Sequence, residues 1–78
     1  MTKISNIFPM TGAEIGQSIK FRREFLGLRQ EDLAEMSGLT IKTIHLIESA
    51  TGNPSLDTLE KLATVLGMEL LLQVKKNN

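Results

Sequence analysis

The stretch from Gln30 to Glu48 constrains the fold of this chain more than any other, because it predicts two short helices joined by a tight turn. The first helix is predicted over Gln30–Met36, and Ser37-Gly38-Leu39 form the turn. Gly38 can adopt the left-handed conformation that ends a helix, since it has no Cβ atom. Thr40 is a natural N-cap for the second helix, which is predicted to run to Glu48.

The second predicted helix has two different faces. At about 100° per residue, Ile44 and Ile47 share one face with the flanking Thr43 and Glu48. The opposite face carries Ile41, Lys42, His45, Leu46 and Ser49. A helix that is tied to a small core on one side and displayed on the other is suited to enter a DNA major groove.

The same stretch resembles the helix-turn-helix of the Cro/repressor, or XRE-like, family. The matching positions are Gln30, Leu33-Ala34, Gly38-Leu39, Thr43-Ile44 and Glu48, and the resemblance extends from about Ile15 to Leu66. It implies an all-α, lambda-repressor-like DNA-binding domain of four to five helices. The segment from Asn53 to Val74 resembles the HipB-type antitoxin branch, whose short chains end in one β-strand.

The family resemblance also implies an ion pair between Arg23 and Glu48. Family members carry an Arg and an acid at these positions, and the two side chains join the first and third helices. The alternative is two separate solvated charges, which would contribute little to stability.

Two groups of residues are predicted to contact DNA. Short polar side chains and helix N-termini suit phosphate oxygens, and the phosphate-positioning group is Gln30, Thr43, Ser49 and Asn53. The role of Gln30 is implied by the resemblance. The base-reading group is Thr40, Ile41, Lys42, His45 and Leu46. Lys42 could donate to guanine O6 and N7, and His45 could donate or accept at a base edge. The side chains of Ile41 and Leu46 could contact thymine methyl groups.

Metal and enzyme chemistry have little support in the sequence. One His and no Cys cannot assemble a metal site, and no cofactor is predicted. The chain has no supported Cys–His or Ser–His–Asp arrangement and no Gly-rich phosphate loop. A helical domain of 8.6 kDa also offers little room for a buried pocket, so we expect no enzymatic activity.

The N-terminal part predicts an arm followed by a helix. Residues 1–10 have no helical period and are interpreted either as a frayed tail or as an arm packed on the domain or its partner. Thr11 to Glu14 fit a capping box that opens the first helix, and Gly27 is expected to close it. The predicted core stripe of this helix is Ile15, Ile19 and Leu26.

Phe21 and Phe25 do not fit that core stripe. They are four residues apart and therefore stack on one helix face, where family members usually carry polar residues. Exposed apolar patches often mark contacts. The two rings are a possible protein interface, or they pack within the chain, for example on residues 4–8 or on the C-terminal strand.

The loop after the second helix departs from the family pattern at Ala50, where the family usually has Gly. Because Ala costs roughly 1 kcal/mol in the left-handed conformation, the helix is expected to run longer and end near Gly52. Ser55 is the predicted N-cap of the last helix, which Gly67 ends.

The segment Met68–Lys75 alternates in the manner of a β-strand. A lone strand leaves its backbone groups unpaired, so we expect it to pair with the same strand of a second copy. The predicted dimerisation residues are Val65, Met68, Leu70, Leu71, Leu72 and Val74. The predicted organisation is an arm over residues 1–10, a DNA-binding domain over 11–67, and a dimerisation strand and tail over 68–78.

The charge balance and the hydropathy of the chain limit how it could bind DNA or a membrane. Nine Lys and Arg residues balance nine Asp and Glu residues, so few phosphates would be neutralised and non-specific DNA affinity should be weak. No apolar run approaches ~18 residues and no signal-peptide pattern begins the chain, so no membrane association and a cytoplasmic location are expected.

These features together predict a DNA-binding transcriptional repressor, homodimeric on a palindromic operator in double-stranded DNA. The HipB-type resemblance implies an antitoxin that binds a cognate toxin and represses the operon of both. The alternatives are a stand-alone regulator of the same family and a protein-interaction module that has lost DNA binding.

Overall fold

Short helices separated by tight turns make up the part of the chain that the structure describes, residues 12–72 and 74 of a computed structural model. They are α1 (Gly12–Phe25), α2 (Gln30–Ser37), α3 (Ile41–Glu48) and α4 (Leu56–Leu66). No residue in this described range lies in a strand. The predicted all-α fold is therefore confirmed for these residues, whereas the predicted capping residue Thr11 and the arm over 1–10 lie outside them.

The predicted turn between α2 and α3 is present. Gly38 has a φ of 77° and its backbone N–H donates to the Ala34 carbonyl, which closes the last turn of α2. Thr40 then caps α3, because its side-chain hydroxyl accepts a 3.1 Å hydrogen bond from the Thr43 backbone N–H. The same chemistry starts α4, where the Ser55 hydroxyl accepts from the Thr58 N–H at 3.1 Å.

The core lies where the four helices meet. Helix α1 packs on α3 and α4, and α2 packs on the same two helices. The buried apolar side chains are Ile19, Leu33, Ala34, Ile44, Ile47, Leu62 and Leu66. In α3 the buried residues are Ile44 and Ile47, and in α4 they are Leu62 and Leu66. A spacing of three or four residues puts each pair on one face of its helix, so α3 contacts the core through one face only.

The predicted core position of Leu26 is wrong. Its side chain is 41% exposed, because α1 ends at Phe25 and the chain then turns through Gly27. Leu28, which follows that turn, packs against the core instead. The helical period that placed Leu26 with Ile15 and Ile19 does not extend beyond the last helical residue.

The expected lengthening of α3 is also wrong. The helix ends at Glu48, and Ala50 takes the left-handed conformation with a φ of 59°. The Ala50 N–H donates to the Ile47 carbonyl and the Thr51 N–H donates to the Leu46 carbonyl, at 3.1 and 3.0 Å. These two bonds form a Schellman motif, and the motif holds Ala50 in a conformation that costs an L-residue about 1–2 kcal/mol.

The predicted C-terminal strand is not observed. Residues 68–72 and 74 have no regular secondary structure, and Gln73 and 75–78 lie outside the described residues. A strand exists only when a neighbouring strand receives its backbone hydrogen bonds. The four helices offer no such neighbour, and none lies elsewhere in the described residues, so the alternation of this segment produces no strand there.

Candidate nucleic-acid interface

Helix α3 presents one face to solvent, and that face carries both polar and apolar side chains. Ile41 is 50% exposed, whereas Ile44 is fully buried and Ile47 is 5% exposed. Lys42 and His45 are exposed and Leu46 is half-buried. The predicted division of this helix into a core face and a displayed face is therefore present, and the displayed face is wide enough to offer side chains to a partner.

A buried ion pair fixes the orientation of α3 relative to α1. The Arg23 Nε donates to Glu48 Oε2 at 2.6 Å and its Nη2 donates to Oε1 at 2.9 Å. The two side chains are only 9% and 4% exposed. The third guanidinium nitrogen, Nη1, donates to the Leu28 carbonyl at 2.8 Å. The hydrogen bond that Arg23 donates to Glu48 raises the pKa of Arg23, and burial opposes that rise.

The same carboxylate also holds Gln30 at the start of α2. The Gln30 Nε2 donates to Glu48 Oε1 at 3.1 Å, so one carboxylate links α1, α2 and α3. A bidentate arrangement of this kind has defined geometry, and Glu48 thereby positions the side chain at the N-terminus of α2. The sequence did not indicate this bond, because 18 residues separate the two positions and no local pattern connects them.

The remaining polar side chains predicted to contact DNA lie at the two ends of α3. At its start, the Thr40 and Thr43 hydroxyls are 2.9 Å apart. At its end, the Ser49 hydroxyl donates to the His45 carbonyl at 2.8 Å. Asn53 is exposed in the loop that follows. The cap and turn bonds therefore already occupy the hydroxyls of Thr40 and Ser49 in the free chain.

The charge at the start of α2 is partly compensated. Arg29 lies 2.6 Å from Glu31 and 3.1 Å from Asp32. The hydrogen bond from Arg29 lowers the pKa of Asp32, and the same bond raises the pKa of Arg29. Lys42, by contrast, extends from the displayed face of α3.

A helix-turn-helix family model matches residues 19–72, a range that contains all of α2, α3 and α4. The chain belongs to this helix-turn-helix family. Within it, α2 and α3 are the two helices of the motif, and α3 takes the position that is called the recognition helix in such motifs. The described residues contain no helix long and apolar enough to span a membrane, and no group of His, Cys, Asp and Glu in that range could hold a metal ion.

Two relatives by sequence are transcriptional regulators. The HTH-type transcriptional regulator PuuR of Escherichia coli strain K12 is 39% identical over 59 residues, which is 76% of this chain and 32% of PuuR. An uncharacterized HTH-type transcriptional regulator of Methanothermobacter thermautotrophicus is 43% identical over 51 residues, covering 65% of this chain and 74% of that protein. This chain thus spans about a third of the length of PuuR.

Two solved structures share the fold. The restriction-modification controller protein C.AhdI of Aeromonas hydrophila has a TM-score of 0.71 at 38% identity, covering 74% of this chain and 88% of that protein. SinR, a master regulator for biofilm formation, was solved in complex with DNA. Its TM-score is 0.66 at 38% identity, with 70% of this chain and 89% of that chain covered. This chain is therefore a helix-turn-helix protein similar to DNA-binding regulators.

Sequence reasoning missed the close approach of the recognition helix to α1. A Cβ atom added at Gly16 would lie 2.2 Å from the Ile47 carbonyl oxygen and 3.3 Å from that of Glu48. The only signal in the sequence was a glycine inside a predicted helix, where it costs about 1 kcal/mol relative to Ala. Such a cost indicates a packing reason for the glycine.

The predicted interface residues outside the helix-turn-helix are mostly exposed. Phe21 and Phe25 are 71% and 69% exposed. Val65 and Met68 pack at the edge of the core, and the other predicted dimerisation residues, Leu70, Leu71, Leu72 and Val74, are exposed. Within the described residues two apolar regions are exposed, one on α1 and one after α4.

Proposed function

We propose that this chain is a sequence-specific transcriptional repressor that binds a palindromic operator as a homodimer. The observation that carries the proposal is the displayed face of the recognition helix, held by the buried link from Arg23 through Glu48 to Gln30. A rigidly held helix with exposed side chains is what reading of a major groove requires. The similarity to SinR, solved with DNA, supports this choice of partner.

The proposed base contacts come from the first two turns of α3. Lys42 donates to guanine O6 and N7, and His45 pairs with a base edge. Ile41 and Leu46 contact thymine methyl groups, while Thr40 reaches the same groove from the N-cap. The proposed phosphate contacts are Gln30, Thr43, Ser49 and Asn53, whose amides and hydroxyls suit phosphate oxygens.

Replacing Lys42 with alanine tests base reading. If Lys42 reads a guanine, the loss is about 1–3 kcal/mol of binding free energy, which is roughly 5- to 150-fold in affinity, and specificity should relax at one base pair. The measurement is selection of bound sites from random DNA, followed by titration of the selected site with each variant.

Lys61→Ala is the matched control for that titration. Lys61 lies on α4, where its ammonium is 3.2 Å from Asp57, and its loss should leave affinity and specificity unchanged. If the wild-type chain enriches no sequence at low and moderate salt, the DNA-binding proposal is wrong and the protein-interaction module is the better description.

The proposed dimer uses the segment after α4. Helix-turn-helix half-sites lie about 34 Å apart, and one neutral domain makes few phosphate contacts, so two copies must bind together. The exposed Leu70, Leu71 and Leu72 support a second copy as their cover. Two-fold symmetry then requires antiparallel pairing of the two Met68–Lys75 segments, which would form the strand that the described residues of this segment lack in one copy.

Truncation after Gly67 should produce a monomer that has lost most specific DNA affinity. It should keep most of its helix content, because all four helices end before this residue. Sedimentation and circular dichroism measure these two properties, and titration of a palindromic site measures the affinity. Undiminished binding by the truncated chain would contradict the proposed dimer.

The antitoxin form of the proposal adds a toxin as a partner. Two features support this form: the exposed apolar side chains after α4 and the HipB-type resemblance of residues 53–74. Co-purification with the product of the adjacent open reading frame separates an antitoxin from a stand-alone regulator. In either form the proposed partner is operator DNA inside the cell, so we place the protein in the cytoplasm.

A further inference from the structure

Arg22 joins the first helix to the end of the last one. Its Nε donates to the Leu66 carbonyl at 2.8 Å, and Leu66 is the last residue of α4. The final carbonyls of a helix have no partner within that helix, and they lie at the negative end of its dipole. A cation that donates to one of them therefore satisfies the acceptor and stabilises the end of α4.

The ring of Phe25 lies against this guanidinium. The Arg22 Cζ is 5.4 Å from the centroid of the Phe25 ring, which is within the range of a cation–π interaction. The two residues are three positions apart and are therefore neighbours on the surface of α1. Although the ring is largely exposed, it thus has a contact within its own chain, and this contact helps to orient Arg22.

The chain leaves α4 through a turn at a glycine. Gly67 has a φ of 69°, and glycine adopts many backbone conformations at little steric cost. A short bond from the Met68 N–H to the Ala63 carbonyl holds the turn at 2.8 Å, whereas the Gly67 N–H lies 3.4 Å from the Thr64 carbonyl. The second distance exceeds the usual upper limit of about 3.2 Å, so the backbone bonds restrain this turn only in part.

Arg22 adds a restraint to the same turn. A Cβ atom at Gly67 would lie 3.4 Å from the Arg22 Nη2, so the guanidinium lies on the side where another residue would carry its side chain. With its Nε bonded to the Leu66 carbonyl, the guanidinium is beside both residues of the Leu66–Gly67 peptide. Turning that peptide would swing the carbonyl oxygen away from Nε, so the contact restrains the direction in which the chain leaves α4.

The next residue of α1 holds the recognition helix. The Arg23 Nε donates to Glu48 Oε2 at 2.6 Å, and Glu48 is the last residue of α3. Two successive residues of α1 therefore hold the C-terminal ends of α3 and α4. The direction in which the chain leaves α4 is thereby fixed relative to the recognition helix through a single turn of α1.

We propose that Arg22 is a positioning residue that sets the half-site spacing of the operator. This inference rests on the proposed homodimer, in which the segments after α4 pair. In that dimer, the direction in which each chain leaves α4 decides the separation and relative orientation of the two recognition helices. One added base pair moves a half-site by about 3.4 Å and turns it by about 35° around the DNA axis, so discrimination between spacings requires a fixed direction.

Selection from DNA libraries tests this role. Each library carries two inverted copies of the selected half-site, separated by spacers of different length, and the wild-type chain should prefer one spacer. Arg22→Met keeps a long side chain without the guanidinium. The variant should bind the preferred spacer about tenfold more weakly, because one residue in each chain must be ordered again on binding. It should bind the neighbouring spacers nearly as well as the preferred one and select the same half-site sequence.

The controls separate positioning from charge and from folding. Lys20→Met removes the same charge from an exposed position of α1 and should leave the spacer preference unchanged. Arg22→Lys retains a charged donor for the Leu66 carbonyl and should restore the preference. Sedimentation equilibrium and circular dichroism should give Arg22→Met a dimer dissociation constant and a helix content close to those of the wild type, because the paired segments and the helices are unchanged.

The two phenylalanines of α1 provide a second matched comparison. Phe25→Leu removes the ring beside the Arg22 guanidinium and should weaken the preference for the best spacer roughly two- to fivefold. Phe21 is exposed to a similar extent and lies one helical turn before Phe25. Phe21→Leu should therefore leave the spacer preference unchanged.

The possible failures are distinguishable. A wild-type chain that stays monomeric at high micromolar concentration and selects a single half-site overturns the homodimer, and this role with it. A wild-type dimer that binds several spacers equally well overturns the role of Arg22 alone. The same holds if Arg22→Met changes the spacer profile no more than Lys20→Met does. If Arg22→Met loses affinity for every spacer by the same factor, Arg22 acts only on the stability of the domain and the inference is again wrong.

Discussion

Replacing Glu48 with alanine should lower the free energy of unfolding by about 3–5 kcal/mol, the loss found when one partner of a buried ion pair is removed. The Arg23 guanidinium would stay in a site where its side chain is 9% exposed, with the Leu28 carbonyl as a remaining hydrogen-bond acceptor. Water reaches such a site poorly, and the remaining carboxylate of Glu24, 3.9 Å from the Arg23 Nη2 and 59% exposed, would compensate the charge only in part. Urea unfolding followed by circular dichroism measures the change.

This loss is large relative to the total free energy of unfolding of the domain. A chain of 78 residues is expected to be stable by roughly 4–12 kcal/mol. Glu48→Ala should therefore unfold an appreciable fraction of the protein at physiological temperature, and DNA binding should fall with it. Loss of the Gln30 contact adds a second effect, because the amide at the start of α2 would no longer be held.

Two further variants give this prediction its controls. Asp57→Ala removes the partner of Lys61 from an exposed pair, with side chains 51% and 73% exposed, and should cost less than about 1 kcal/mol. Replacing Arg23 and Glu48 together by methionine removes both charges and should recover most of the lost stability. Equal losses for Glu48→Ala and Asp57→Ala would show that the buried pair contributes no more than a surface pair.

The parts of the fold that the sequence predicted are those that depend on local chemistry. Gly38 ends α2 and Thr40 caps α3 through bonds to residues a few positions away. The periodic spacing of Ile44 and Ile47 placed them in the core and left the rest of α3 displayed. Each of these features follows from the backbone geometry of one short segment.

The errors arose where other hydrogen bonds outweighed the preference of one residue, or where the outcome depends on a partner outside the chain. Ala50 lacks the freedom of glycine, yet the hydrogen bonds of the turn hold it at positive φ. The alternation of residues 68–75 indicates a strand, but a strand requires a neighbour that one copy does not provide. In the candidate interface, the exposure of Lys42 followed from helical spacing, whereas the bond between Gln30 and Glu48 did not. The DNA contacts of the residues in the candidate interface remain predictions.

Gly16 shows most clearly what a sequence pattern does not reveal. It lies inside α1 and is buried, at a position where glycine weakens a helix. The structure supplies the reason: at Gly16, α1 and α3 approach so closely that a methyl group would lie 2.2 Å from a backbone oxygen. The small residue thus sets the distance between the first helix and the recognition helix.

Gly16→Ala should therefore destabilise the domain, against the ordinary preference of helices for alanine. The methyl group would contact backbone atoms of Ile47 and Glu48, which cannot rotate away as a side chain can. Helix α3 must move outward by about 1 Å, and overpacking of this kind costs typically 1–3 kcal/mol and occasionally more. Since alanine returns about 1 kcal/mol of helix propensity, and the 2.2 Å approach to a backbone oxygen favours the upper half of the overpacking range, we expect a net loss of about 1–2 kcal/mol in urea unfolding.

The displacement should reduce DNA binding beyond the loss of folded protein. An outward shift of α3 stretches the 2.6 Å bond between Arg23 and Glu48 and moves every side chain of the displayed face together. Titration of the selected operator at a temperature where the variant is fully folded should still show weaker binding. Gly12→Ala is the control, because a Cβ atom there has no heavy atom within 4 Å, and it should leave stability unchanged or raise it slightly. If Gly16→Ala behaves like Gly12→Ala in both measurements, the close contact does not set the position of the recognition helix.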